Sequence, residues 1–334
     1  MGNGENSLFS IIVPVYNRPD EVAELIQSLK NQDDKNFQLV IVEDGSTIPC
    51  ENECHASGLN LKYFKKDNEG RSIARNYGID RADGDYFIFV DSDCILPPDY
   101  ISKLRKALQN NPTDCFGGPD AAHESFSPVQ KAINYAMTSF LTTGGIRGKK
   151  KSLEKFTPRT FNMGFSRKVY EKVGGFREMF SEDIDMSTRI RQAGFKLTLF
   201  PEIFVYHKRR VSLKKFWRQV HVFGMSRITL QLLYPGSMKL VHWLPAVFTV
   251  GSLSLVGLSF LSPWALLPLG VYFGAITGGA AAKTKSLKVS LLSIPAAATQ
   301  LFGYGTGFLR AYIWKILLRN GRDIDDEIKR RKGK

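Results

Sequence analysis

Two carboxylates, Asp91 and Asp93, stand one residue apart in the stretch FIFVDSDCILPPDY, directly after a run of large apolar residues and before a double proline. On a strand, residues i and i+2 point to one face, so both acids are expected to crowd one side of whatever binds there. Like charges that close repel unless a cation lies between them. Hard divalent cations take oxygen ligands, and Mg2+ or Mn2+ commonly bridges one or two carboxylates to substrate phosphates. A metal-bridged diphosphate is therefore the chemistry this pair fits.

Two further groups stand out. Glu182, Asp183 and Asp185 fall in SEDIDMSTRIRQAGF, within a segment, 173–197, whose pattern predicts a helix. Acids near a helix start are favoured by its dipole, and capping is their plain reading. Asp185 is expected to project away from Asp183, because i and i+2 share no helix face. His207 follows FVY and precedes Lys208, Arg209 and Arg210. Those three cations could hold a diphosphate or an anionic lipid equally well.

The elements that must position these groups alternate along the first 110 residues. Buried-strand runs at 9–16, 37–46, 61–66 and 85–93 are separated by helical spacing at 20–32, 70–82 and 98–111. Such alternation predicts an α/β fold with a mostly parallel sheet and helices on both faces. Ligands in these sheets sit beyond the carboxyl ends of the strands, where Asn17, Asp44, Asp91 and Asp93 all fall. Asp44 also reads as an ordinary turn carboxylate in Asp-Gly-Ser. The glycine-rich, basic stretch 144–155 is expected to be a mobile loop and a possible lid.

The chain carries 46 Lys and Arg against 32 Asp and Glu, a net charge of +14, which calls for an anionic partner. Segments 240–261 and 264–282 lack Lys, Arg, Asp and Glu and approach the ~20 residues of a bilayer span. They read as a tight transmembrane hairpin. Before them, 212–236 mixes Lys214, Lys215, Arg218 and Arg227 with Phe216, Trp217, Val220 and Phe223, which suits a helix lying at the membrane surface. The charge thus has a membrane explanation, and nucleic acid is not needed. Lys283, Lys285 and Lys288 belong on the cytoplasmic side under the positive-inside rule. The segment 289–318 is apolar but holds Pro295, Gly303, Gly305 and Gly307, and is expected to be broken or re-entrant. Residues 1–7 are polar, without the features of a secretory signal. CENECH at 50–55 is the nearest approach to a zinc spacing and reads better as a solvated loop with two incidental thiols.

Taken in order, VPVYNR (13–18), VEDGS (42–46), NEGRSIARNYGI (68–79), DSD (91–93), FNMGFSRKVYEKVGGF (161–176), SEDIDMSTRIRQAGF (181–195) and VYHKRR (205–210) resemble the inverting family-2 glycosyltransferases of membrane-anchored bacterial type, over about two thirds of the chain. The resemblance implies a Rossmann-like GT-A catalytic domain over 1–210, followed by the surface helix (211–237), the transmembrane hairpin with a further hydrophobic segment (238–318) and a basic tail (319–334). It implies a nucleoside diphosphate sugar donor, a UDP-sugar first among them, and Mg2+ or Mn2+. The strand-end backbone from Pro14 to Tyr16, with Asp44, would form the nucleoside pocket. Arg71 and Arg75 would lie near the nucleotide and Asp91 near the ribose. Asp93 and His207 would hold the metal and Arg209 the diphosphate. Glu182 would contact substrate beside Asp183, the catalytic base.

Processive synthases of this family carry Gln-x-x-Arg-Trp after the acid pair. Here the corresponding WRQVHVFG (217–224) has Gln219 without the Arg-Trp, so single-sugar addition is favoured over polymerisation. The expected function is sugar transfer to a membrane-associated, lipid-linked saccharide in cell-envelope polysaccharide or glycan synthesis. The chain would be a multi-pass protein of the inner (plasma) membrane with its catalytic domain cytoplasmic. The alternatives are a polyprenyl-phosphate glycosyltransferase and a non-catalytic membrane protein that binds nucleotide sugars.

Overall fold

The computed structural model describes residues 7–121, 126–144, 156–208 and 212–318. The chain divides into two compact units, 1–123 with 156–208 and 124–155 with 209–334. The first unit is therefore built from two pieces, where the sequence suggests one continuous block ending at 210. Arg209 and most of the expected lid lie outside the described residues.

In chain order the first unit begins with β1 (Phe9–Val15), α1 (Pro19–Lys30), β2 (Phe37–Asp44), α2 (Glu51–His55), β3 (Leu61–Lys66), α3 (Arg71–Ile79), β4 (Tyr86–Phe89), β5 (Cys94–Ile95), α4 (Tyr100–Asn110), β6 (Cys115–Gly117) and β7 (Asp120–Ala121). Next come α5 (Pro128–Thr138) and α6 (Phe140–Thr143), which belong to the second unit. The chain then returns through β8 (Met163–Ser166), α7 (Arg167–Val173), α8 (Glu182–Gln192), β9 (Leu197–Leu199) and β10 (Val205–His207).

Seven strands form one sheet in the order β3-β2-β1-β4-β8-β6-β9. The pairs around β1 and β2 are parallel, and β8 runs antiparallel to both β4 and β6. Strands β1, β2 and β4 read as almost unbroken apolar runs because both sheet faces are covered. One face packs Leu25, Leu29, Ile101 and Leu104 from α1 and α4. The other packs Ala74, Val169, Met186 and Ile190 from α3, α7 and α8. Gly78 lets α3 settle on the sheet, since a Cβ there would meet Ile12 Cγ2 at 2.6 Å. A second, three-stranded sheet has the order β5-β10-β7.

Three expectations are corrected in this unit. Strand β4 stops at Phe89, so Asp91 and Asp93 lie on a turn closed by the Cys94 N–H donating to the Asp91 carbonyl at 3.1 Å. Two-residue strand periodicity therefore does not govern them. The helix expected over 173–197 starts only at Glu182, after Ser181 in the left-handed region at φ 63°, which places the acids in its first turn. Cys50 and Cys54 are buried rather than solvated, 3.9 Å apart at sulfur, and Glu43 accepts from the Cys50 amide and the Tyr63 hydroxyl.

The second unit continues with α9 (Leu213–Leu233), α10 (Leu240–Leu258), a 3-10 turn (Pro263–Leu266), α11 (Leu267–Thr284) and α12 (Leu287–Tyr312). Here too an expectation fails: α12 is one continuous helix through Pro295 and its glycines. Those glycines bring helices together. A Cβ on Gly307 would lie 2.0 Å from the His221 carbonyl of α9, one on Gly224 of α9 2.1 Å from the Tyr304 carbonyl, and one on Gly305 2.4 Å from the Pro245 carbonyl of α10. Small residues at such crossings let backbones approach. Helix α9 accordingly buries Phe216 and Val220 among residues of α5 and α12, leaving Trp217 partly exposed. Helix α10 and the stretch Pro263–Thr284 are long and apolar enough to cross a membrane. Most of their apolar side chains are uncovered, Leu253, Phe260, Leu261 and Trp264 among them.

Candidate active site

The site forms where β1, β2 and β4 end. Asn17, in the left-handed region at φ 54°, accepts through Oδ1 from the amides of Thr47 and Ile48 at 2.8 and 2.9 Å, and its own amide donates to Ser46 Oγ at 2.7 Å. The loop after β2 is thereby fixed to the end of β1. Tyr16 beside it is half exposed and Pro14 partly buried. Asp44, the last residue of β2, is buried and accepts from Lys66 Nζ at 2.9 Å and from the amides of Glu69 and Gly70 at 3.0 and 2.9 Å. A carboxylate offers about four lone-pair sites, so three are taken up in holding the loop that leads into α3. Burial alone would weaken the Lys66 charge, but Glu69 and Asp44 outweigh it and hold the ammonium above its ordinary pKa.

Asp91, Arg75, Glu182 and Arg71 form a chain of ion pairs. The Arg75 guanidinium donates to Asp91 Oδ1 at 2.8 Å and to Glu182 Oε1 at 2.9 Å, and Arg71 donates to Glu182 Oε2 at 2.9 Å. Arg75 and Glu182 are almost fully buried, whereas Arg71 and Asp91 reach solvent. This differs from the substrate contact expected of Arg75 and Glu182: each faces the other, tying α8 to α3 and to the β4 turn. Asp185 is also buried, held by Arg177 at 3.0 Å and by Arg189 at 2.9 Å. It faces away from Asp183, as helical spacing predicts.

Asp183 is partly exposed. Its Oδ1 accepts from the Ile184 amide at 2.8 Å, and Oδ2 lies 3.3 Å from Arg159. Arg159 escaped sequence reading because an arginine in TPRTF carries no distinguishing spacing. Of the three acids of α8, Asp183 is the one that is not buried.

Asp93 and His207 come together across β5 and β10, with His207 Nε2 3.2 Å from Asp93 Oδ1. On its other side His207 Nδ1 lies 4.0 Å from Asp120 Oδ2, and the Phe161 ring packs on the imidazole at 4.7 Å between centroids. Asp120 was not legible in the sequence, where it lies in an undistinguished GGPDAA. Arg18 lies 3.4 Å from Asp93 Oδ2. Burial opposes its charge, but Glu21, Asp93 and Asp91 hold the guanidinium above its ordinary pKa. An octahedral Mg2+ with arms of about 2.1 Å places adjacent ligands about 3.0 Å apart, close to the separation of these two donors. The oxygen and nitrogen pair therefore fits a divalent ion.

Residues 10–174 match the family model described as Glycosyl transferase family 2. This stretch belongs to that family. The glycosyltransferase domain so defined contains Asp44, Asp91 and Asp93, while Asp183 and His207 lie beyond the matched residues. An uncharacterized glycosyltransferase of Rickettsia conorii is 42% identical over 105 residues, 30% of this chain and 17% of that protein. One of Haemophilus influenzae is 38% identical over 109 residues, 31% of this chain and 44% of its own length. The chain thus spans less than half the length of either relative. Among solved structures, the mannosyltransferase PcManGT of Pyrobaculum calidifontis superposes with a TM-score of 0.52 at 16% identity, covering 90% of this chain and 89% of the other. The glycosyltransferase domain thus has the GT-A fold, a mostly parallel sheet flanked by helices, as its sequence predicts.

Proposed function

We propose that this protein is a metal-dependent, inverting glycosyltransferase that moves one sugar from a nucleoside diphosphate sugar to a lipid-linked saccharide at a membrane. The observation that carries the reading is the pairing of Asp93 with His207 in the same unit as Asp183, which keeps a carboxylate accessible at the start of α8. Asp183 accepts the proton of the acceptor hydroxyl as that oxygen attacks the anomeric carbon, and the nucleoside diphosphate leaves from the opposite face. Arg159 orients the Asp183 carboxylate. Asp93 and His207 would hold a divalent ion, whose positive charge would offset the charge that develops on the departing diphosphate. The Tyr16 edge and the remaining lone pair of Asp44 receive the nucleoside, Asp91 the ribose, and Arg71 and Arg209 the phosphates. PcManGT was solved with GDP-Man and Mn2+, which supports a nucleotide sugar and a divalent ion as the ligands to test. The uncovered apolar faces of α10 and α11 support a membrane location, with the glycosyltransferase domain on the cytoplasmic side of the inner membrane.

The test is release of nucleoside diphosphate from a panel of nucleotide sugars by the full-length protein in detergent, with Mn2+ or with chelator, and with lipid extract as acceptor. Release that depends on Mn2+ and is abolished in Asp93→Asn is expected. Turnover unaffected by chelator and by this variant would refute metal dependence at this site.

A further inference from the structure

The strand that carries His207 sets a cysteine directly across from it. β5 and β10 pair antiparallel, with His207 opposite Cys94 and Tyr206 opposite Ile95. Opposed residues in such a pair project to the same face, with Cβ atoms about 4.5–5.5 Å apart. Asp93 adjoins Cys94 in the chain, and a ligand atom from each of Asp93, Cys94 and His207 lies within 4.8 Å of the other two. Among the described residues, no other His, Cys, Asp or Glu trio comes together in this way. The Cys94 thiol is fully buried and donates to the Phe161 carbonyl across 3.7 Å, a weak bond for a weak donor. Two strands and one turn thus bring an oxygen, a nitrogen and a sulfur within 4.8 Å of one another, at the edge of the apolar core that Cys94 joins.

We propose that Cys94, as a thiolate, is a third protein ligand of the divalent ion held by Asp93 and His207, and that it turns the site toward thiophilic ions. The proposal rests on the metal reading of Asp93 and His207 given above. Thiolate ligands select ions such as Zn2+ over Mg2+, whereas carboxylate and water favour Mg2+ and Mn2+. A mixed set of one carboxylate, one imidazole and one thiolate therefore ranks Zn2+ and Co2+ above Mg2+ and leaves the remaining positions to diphosphate oxygens. Coordination releases the thiol proton to solvent.

The experiment is a Co2+ titration of the metal-free, full-length protein in detergent with UDP present. It reads the visible d–d bands and the near-ultraviolet thiolate-to-cobalt charge-transfer band. Wild type should show both, Cys94→Ser should lose the charge-transfer band and keep the d–d bands, and Asp93→Asn should lose both. Mg2+ should displace Co2+ more readily from Cys94→Ser than from wild type. The buried Cys50, Cys54 and Cys115 remain in every variant, so they cannot account for a difference. A wild-type spectrum with d–d bands and no charge-transfer band overturns the thiolate ligand without touching the metal reading, and needs no variant to be folded. Persistence of the charge-transfer band in Cys94→Ser does the same. The absence of any Asp93-dependent cobalt spectrum overturns both the thiolate and the metal reading.

Discussion

Arg75 Nη1 lies 2.9 Å from Glu182 Oε1, with 1% and 2% of the two side chains exposed, and the same guanidinium holds Asp91 at 2.8 Å. One buried cation thereby sets the distance between the β4 turn and the first turn of α8. Removing one partner of a buried pair leaves an uncompensated charge and costs about 3–5 kcal/mol. Arg75→Met is predicted to lose stability on that scale, measured as a drop in the unfolding midpoint. Glu182→Gln turns an amide NH2 toward one of the two guanidinium donors that Glu182 accepts from and should also destabilise, by less, since Arg75 keeps its pairing with Asp91. Equal stability of Arg75→Met and wild type would show that the pair does not anchor α8.

Asp183→Asn should keep the helix start intact, because the Asn oxygen can still accept from the Ile184 amide, yet it removes the proton acceptor. Loss of a general base lowers the chemical step by roughly 10²–10⁴-fold. Donor affinity by calorimetry should change little. Arg159→Ala should reduce single-turnover transfer by a smaller factor, since it orients the carboxylate without replacing it. Weakened donor binding with a preserved rate per bound donor would instead assign Asp183 to the donor site.

Mn2+ and UDP together should raise the melting temperature of wild type, because a ligand that binds only the native state stabilises it by about 2.7 kcal/mol at 100 times its dissociation constant. His207→Ala should lose most of that increment, while Asp185→Asn, whose parent carboxylate is buried against Arg177 and Arg189, should lower the melting temperature with and without ligand alike. An undiminished ligand-induced shift in His207→Ala would exclude His207 from the metal site.

The helical unit offers a paired test. Gly307→Ala forces a Cβ to 2.0 Å from the His221 carbonyl, and overpacking of this kind costs about 1–3 kcal/mol. Gly251→Ala in α10 meets nothing within 4 Å and should be neutral or stabilise by about 0.5–1 kcal/mol, since alanine loses less freedom in a helix. Thermal melts in detergent decide it, and equal effects of the two changes would refute close packing of α9 on α12.

Much of the first unit was legible because a central parallel strand buried on both faces must be continuously apolar, as in IIVPV and LVIV. Helical spacing showed that Asp183 and Asp185 project apart, but only the family resemblance singled out Asp183. Turns defeat such reading: nothing in VDSDC announces that β4 ends at Phe89 and that Asp91 and Asp93 turn to different partners. Arg159 and Asp120 meet their partners only through long-range topology, which leaves no local spacing to detect. The glycines of α12 misled for a different reason. They look like helix breakers in isolation, and only the approach of α9 and α10 shows them to be contact surfaces.

Helix α5 interrupts the glycosyltransferase unit in sequence, yet its Ala132, Ile133, Ala136 and Met137 pack with Phe216 and Val220 of α9 and with Val289 and Ala296 of α12. During synthesis α5 emerges well before either partner exists. At ribosomal rates of about 5–20 residues per second, the roughly 150 residues from the end of α5 to the start of α12 take on the order of 10–30 s to appear. For the first half of that interval, before α9 appears, the apolar face of α5 has none of these neighbours, and a nascent chain released then would carry it uncovered. A gene shortened to end at Lys208 makes this transient state permanent. Excision of residues 124–155 in the same gene, with the flanking ends bridged, removes the stranded helix together with the partners it has lost.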